Sequence, residues 1–224
     1  MHATDTAHLP PAPSVLQTEV GLLQNFCELL YCPQTKEAAL VDPAFEVDRL
    51  LRMASDTGVH VKHVLITHTH HDHIEGLADT VAATGARVYV HPHEVEKVRP
   101  LCREITLVSD RLDIAIGHTG VRALETFGHT RGGTCFLADG FVITGDVLFV
   151  SGCGRTDFPG GSTEALWQSL NRLMGLPEET IVYPGHNYGR TPTSSMGREM
   201  LENPYLRCDS FEAFRTLRER VRKA

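Results

Sequence analysis

The chain has no apolar run near the roughly 20 residues that a membrane span needs. It also has no excess of positive charge, since 21 Lys and Arg stand against 28 Asp and Glu and leave a formal charge of −7. The first absence excludes a spanning helix. The second repels phosphate backbones, so neither a membrane nor nucleic acid is an expected partner. Cysteine is sparse and scattered: Cys27, Cys32, Cys102, Cys135, Cys153 and Cys208 form no CxxC pair. They read as free thiols, several packed as small hydrophobes. No Lys or Arg precedes Lys36, so the charged start of a secretory signal and the arginines of a transit peptide are both missing. A cytoplasmic location is the expectation. What remains, 42% hydrophobic and 22% charged residues over 224 positions, is the composition of a folded chain with a sizeable core.

Residues 1–15 hold three prolines and no apolar period, which predicts a flexible N-terminal leader followed by a single domain over residues 16–224. Apolar runs of strand length follow at Asn25–Tyr31, Ala38–Val41, Val61–Thr67, Arg87–Val90, Ile105–Val108, Leu112–Ile116, Val121–Phe127, Thr134–Leu137, Phe141–Thr144 and Thr180–Tyr183. Between them lie helical patterns that end at Gly58, Gly85 and Gly175. A last helix is expected to open at Asp209, with Glu212 as in a capping box, and to bury Phe211, Phe214, Leu217 and Val221. This alternation predicts a mixed α/β chain with strands enough for two sheets.

Histidine is the unusual abundance, at 13 residues. Four of them, His68, His70, His71 and His73, crowd with Asp72 into six positions between an apolar strand and a helix. Imidazole and carboxylate are donors that zinc and iron prefer, and such a run has no hydrophobic rationale. Three further candidates stand just beyond predicted strands, each after a glycine: His129, Asp146 and His186. Strands that share an orientation gather their ends at one rim, where α/β proteins commonly place their sites. A structural zinc uses four ligands in a closed shell, whereas His68, His70, Asp72, His73, His129, Asp146 and His186 make seven. That number points to two metals with open positions, and the lack of cysteine points to hydrolysis or oxygen activation.

The HxHxDH pattern at 68–73, Gly128-His129-Thr130, Gly145-Asp146 and Pro184-Gly185-His186, in this order, resemble the metallo-β-lactamase superfamily. The stretches 151–158 (SGCGRTDF), 183–189 (YPGHNYG) and 203–207 (NPYLR) are similar to its glyoxalase II (hydroxyacylglutathione hydrolase) and persulfide dioxygenase branch. The resemblance runs from about Asn25 to Arg207 and implies an αββα sandwich, two facing mixed sheets flanked by helices, with metals at one edge. It implies two Zn2+, or a mixed Zn, Fe and Mn pair: one ion on His68, His70 and His129, the other on Asp72, His73 and His186, with Asp146 bridging. Asp72 and Asp146 would be the catalytic carboxylates of a thioesterase acting on a glutathione conjugate by attack of metal-bound hydroxide. In the dioxygenase branch the resemblance implies one Fe2+ on His68, His129 and Asp146, oxidising glutathione persulfide to sulfite. A homodimer is a further implication.

The resemblance also assigns substrate contacts, Arg155 to a glutathione carboxylate and Tyr188 to the same ligand. The alternative for Arg155 is an ion pair with Asp157, and for Tyr188 simple packing. Only 38 residues follow His186, fewer than the C-terminal helical domain of full-length glyoxalase II, which implies a partial or different grip on glutathione. Of the other histidines, His71 is expected in solvent and His91 and His93 on the surface. The Arg-rich tail 215–223 reads as a solvated helix face.

Overall fold

A computed structural model describes residues 5–221. Sheet one is built from β1 (Ser14–Val20), β2 (Asn25–Tyr31), β3 (Glu37–Val41), β4 (His60–Leu65), β5 (Arg87–Val90) and β6 (Ile105–Leu107) in that order. The first three pair antiparallel; β3 to β6 are parallel, joined by α1 (Val47–Thr57), by α2 (His71–Ile74) with α3 (Leu77–Thr84), and by α4 (Val95–Val98). Sheet two begins as a meander of β7 (Asp113–Ile116), β8 (Thr119–Glu125), β9 (Thr134–Ala138) and β10 (Phe141–Gly145). A small hairpin, β11 (Leu148–Phe149) and β12 (Gly152–Cys153), and α5 (Thr163–Leu173) then lead to β13 (Ile181–Pro184), parallel to β10. β14 (Ser194–Ser195) closes the edge, and α6 (Met196–Glu202) and α7 (Phe211–Val221) follow.

The core has three layers because the strands bury both faces. Leu30, Leu65, Ile116, Val121, Phe136 and Ile143 meet between the sheets. Their neighbours along the strands point outwards: Leu29, Leu40 and Val64 pack under Leu50 of α1 and Leu77 of α3, while Leu124, Leu137 and Val142 pack under Leu166 and Leu170 of α5 and Phe214 of α7. Truncating one such buried leucine to alanine costs about 2–5 kcal/mol. This is the expected αββα sandwich. Six cysteines are free, as read from the sequence, and no described helix is long and apolar enough to cross a membrane.

The stretch expected as a flexible leader is held down over its described part. Asp5 is buried and receives the guanidinium groups of Arg172 (2.7 Å) and Arg111 (2.9 Å), and Arg122 donates to the carbonyls of Asp5, Ala7 and His8. Prolines prevented any apolar period there, yet ion pairs tie the chain to sheet two, and β1 already starts at Ser14. The last helix also differs at its start: Ser210 rather than Asp209 caps it, its hydroxyl accepting from the Ala213 N–H at 3.3 Å. Phe214 is buried as expected, and the Val221 side chain lies outside the described residues.

Candidate metal centre

All seven candidate residues meet at one rim. β8, β10 and β13 run in one direction within sheet two, so His129, Asp146 and His186 emerge together at their C-terminal ends. The 68–73 run leaves the end of β4 in the facing sheet. Main-chain bonds lock the two edges together, from the Thr134 N–H to the Thr67 carbonyl (2.9 Å) and from the Phe26 N–H to the Gly185 carbonyl (2.8 Å). The glycines before Asp146 and His186 allow this approach. At Gly145 (φ +46°) a Cβ would sit 2.5 Å from Thr67 Oγ1, and at Gly185 it would sit 2.7 Å from Asp146 Oδ1.

Six of the seven candidates fall into two trios of converging donors, His68 with His70 and His129, and Asp72 with His73 and His186; a third group, Asp42 with His68 and His73, links the two from behind. In the first, His70 Nδ1 lies 3.0 Å from His68 Nε2 and 2.8 Å from His129 Nε2. In the second, His186 Nε2 lies 3.2 Å from His73 Nε2 and 3.4 Å from Asp72 Oδ2. Asp146 stands between them, Oδ2 at 3.3 Å from His129 Nε2, and Oδ1 at 3.4 Å from both His73 and His186. Bonds of about 2.0–2.2 Å to a tetrahedral ion place neighbouring donors about 3.3–3.6 Å apart. The spacings of the second trio and of Asp146 fall near that range, the two His70 contacts of the first trio are shorter, and Asp146 Oδ1 is buried with no hydrogen-bond partner. The donor set and its convergence therefore fit bound divalent metal.

Four imidazoles are oriented by their far nitrogens. His68 Nδ1 meets Thr67 Oγ1 (3.1 Å), His73 Nδ1 meets Asp42 Oδ2 (2.9 Å), His129 Nδ1 meets the Arg155 carbonyl (2.7 Å), and His186 Nδ1 meets the Leu23 carbonyl (2.9 Å). Each pairing turns Nε2 towards the centre. Burial holds His68 and His129 below the usual imidazole range and His70 at about 4, which keeps their lone pairs free for a cation. Burial acts the same way on His73, but the carboxylates of Asp146 and Asp42 outweigh it and hold that imidazole well above the range. Burial raises the Asp146 carboxyl, and the charge on His73 together with the nearby His186 outweighs it, leaving Asp146 ionised.

Sequence reading missed Asp42 and Asn25. Asp42, at the end of β3, accepts from the Thr67 N–H (2.7 Å) and hydroxyl (2.5 Å) as well as meeting His73, so it braces the motif from behind. Its place just past an apolar strand was the same signal that marked His129, Asp146 and His186. Asn25, at the start of β2, donates to Asp72. His71 is exposed, as expected, and pairs with Glu75, but His91 is buried against Glu125 rather than lying on the surface. Arg218 corrects the solvated-tail reading. It is 8% exposed, and its guanidinium meets Cys153 Sγ at 3.3 Å and Thr156 Oγ1 at 3.4 Å.

The centre opens into a cleft of about 750 Å3 whose walls include Leu23, Phe149, Arg155, Phe158 and Tyr188. Tyr188 stacks on the His186 ring, with centroids 4.6 Å apart. Arg155 lies over Phe158 and is paired with Asp157 at 2.9 Å, the ion pair that the sequence offered as the alternative for this residue. Burial pushes the Cys153 thiol up to about 12, which leaves it a packing residue.

The family described as the Metallo-beta-lactamase superfamily matches residues 20–186, across both sheets and every candidate donor. The chain belongs to this superfamily. Among its relatives is the probable polyketide biosynthesis zinc-dependent hydrolase PksB of Bacillus subtilis, 32% identical over 197 residues, which are 88% of each chain. A hydroxyacylglutathione hydrolase of Cereibacter sphaeroides is 36% identical over 178 residues, 79% of this chain and 68% of the relative. The crystal structure of ETHE1 from Myxococcus xanthus superimposes with a TM-score of 0.83 at 32% identity, covering 93% of this chain and 91% of that one. Within the superfamily, these likenesses put the chain in the glyoxalase II and ETHE1-like branch of enzymes.

Proposed function

We propose that the protein is a two-metal hydrolase of thioesters formed by glutathione or a related thiol. The observation that carries this reading is the division of Asp146, one carboxylate oxygen facing each trio of donors. A mononuclear centre needs only one of those faces. Two relatives bear names of the same chemistry, a zinc-dependent hydrolase and a hydroxyacylglutathione hydrolase.

Divalent metal held by the two trios supplies Lewis acidity, lowering the pKa of water and polarising the acyl oxygen. The chain supplies the rest. Asp146 and the four Nε2-directed imidazoles fix the donor geometry without relying on solvent. Asp72 lines the cleft and orients the attacking water. Water adds to the acyl carbon, the C–S bond breaks, one water proton goes to the departing sulfur and the other to solvent, and a carboxylate and a thiol leave. At the cleft wall, Tyr188 presents a flat face beside His186, and Arg155 offers a planar guanidinium that can exchange Asp157 for a substrate carboxylate.

A second reading is favoured by the 154–158 stretch, similar to the dioxygenase branch, which sits beside His129. In it one ferrous ion uses His68, His129 and Asp146 to oxidise glutathione persulfide. The test loads one preparation with zinc and another anaerobically with iron. Hydrolysis of S-lactoylglutathione by the zinc form, without rapid oxygen uptake on persulfide by the iron form, supports the hydrolase. The opposite pattern, lost in Asp146→Ala, replaces it with the dioxygenase.

A further inference from the structure

The turn between β1 and β2 grips the second trio at both ends. The Leu23 carbonyl meets His186 Nδ1, the Asn187 N–H donates to the Gln24 carbonyl (2.9 Å), and Asn25 and His186 form an isolated β-bridge. Asn25 itself has no exposed surface. Its Nδ2 donates to both the main-chain carbonyl and the Oδ2 of Asp72, each at 3.0 Å. Both partners can only accept, so the amide has one orientation. Its NH2 faces Asp72, and its Oδ1 is left buried with no hydrogen-bond partner. A buried acceptor held in that state shows that the grip on Asp72 fixes how this side chain sits.

The same carboxylate oxygen, Asp72 Oδ2, stands 3.4 Å from His186 Nε2 and 3.6 Å from His73 Nε2. Asp72 belongs to a helix of four residues and is partly open to the cleft, so its own element does little to hold it. Among the described residues, the Asn25 side chain hydrogen-bonds to Asp72 and to no member of the first trio. We propose that Asn25 is a positioning residue that sets occupancy of the second metal position and leaves the first unaffected. This rests on the two-metal reading. It makes the number of ions bound a property of a side chain outside the donor set.

Zinc titration of the full chain against a competing chromophoric chelator tests this without any substrate. Wild type is expected to bind two equivalents. Asn25→Ala should keep one wild-type affinity and lose about 10- to 100-fold in the other, the usual effect of removing a partner behind a ligand. Asn25→Asp, the same size with an acceptor set against an acceptor, should lose the same affinity; it keeps the test valid if the alanine variant does not melt cooperatively. Two equivalents with unchanged affinities in the variants, or equal weakening of both positions, would overturn the proposal. One equivalent in wild type would instead contradict the two-metal reading, and the proposal with it.

Discussion

Two charge clusters stand in this molecule, one around the buried Asp5 and one at the rim, and they are built on opposite plans. Around Asp5 each acid has its cation: Arg172 reaches both Asp5 and Asp110, Arg111 reaches Asp5, and Arg122 reaches Asp113, at 2.7–2.9 Å. At the rim, two carboxylates and five imidazoles converge; burial holds three of the imidazoles below their usual range, while Asp146 and Asp42 hold His73 above it. Paired charges close a structure; converging donors wait for a cation. The first cluster anchors the N-terminal segment, and the second is the one on which the proposed chemistry rests.

The largest expected effect is at the shared carboxylate. Asp146→Ala should empty both positions and lower hydrolysis by about 10^3-fold or more, read by metal analysis and steady-state kinetics. It should leave the Asp5 network intact. Asp42→Asn removes the acceptor that braces His73, and should weaken metal binding by about 10- to 100-fold, measured by chelator competition. Conversely, Asp5→Ala should cost about 1–3 kcal/mol in denaturant unfolding and leave zinc stoichiometry unchanged. A change in stoichiometry would break the separation of the two clusters.

Acid sharpens the contrast further. Burial raises the Asp5 carboxyl, but the guanidinium groups of Arg172 and Arg111 outweigh it and hold it below its ordinary value of 3.8. The stability from this shift is complete above that value and is lost as pH falls through the lower folded one. The acid limb of wild-type stability should therefore flatten in Asp5→Ala. The smallest effect is expected at Arg155→Gln, with no measurable change in melting temperature and a KM raised roughly tenfold, the loss of one charge-assisted contact to substrate.

Much of the rim was legible because metal donors betray themselves chemically. Four histidines and an aspartate in six positions have no packing explanation, and His129, Asp146 and His186 each follow a strand and a glycine. The sandwich was legible in the strand-length runs, since strands buried on both faces read as continuous apolar segments. What escaped depends on distant partners. β1, SVLQTEV, carries too much polarity to read as a strand and is ordered by full pairing with β2. The anchoring of Asp5 needs arginines 106 and 167 positions away, which no local pattern reveals. Asp42 stood past an apolar strand like the other rim residues but with no glycine or histidine beside it, and Asn25 carries no motif of its own; the partners of both appear only when sheet one closes on the rim.

The central claim is that one carboxylate divides a two-metal centre. Anomalous scattering at the zinc edge from crystals of the zinc-loaded protein tests it most directly. The account predicts two peaks about 3.5–4 Å apart, one on His68, His70 and His129, the other on Asp72, His73 and His186, with an Asp146 oxygen bound to each. A single peak on His68, His129 and Asp146 at saturating zinc would contradict it.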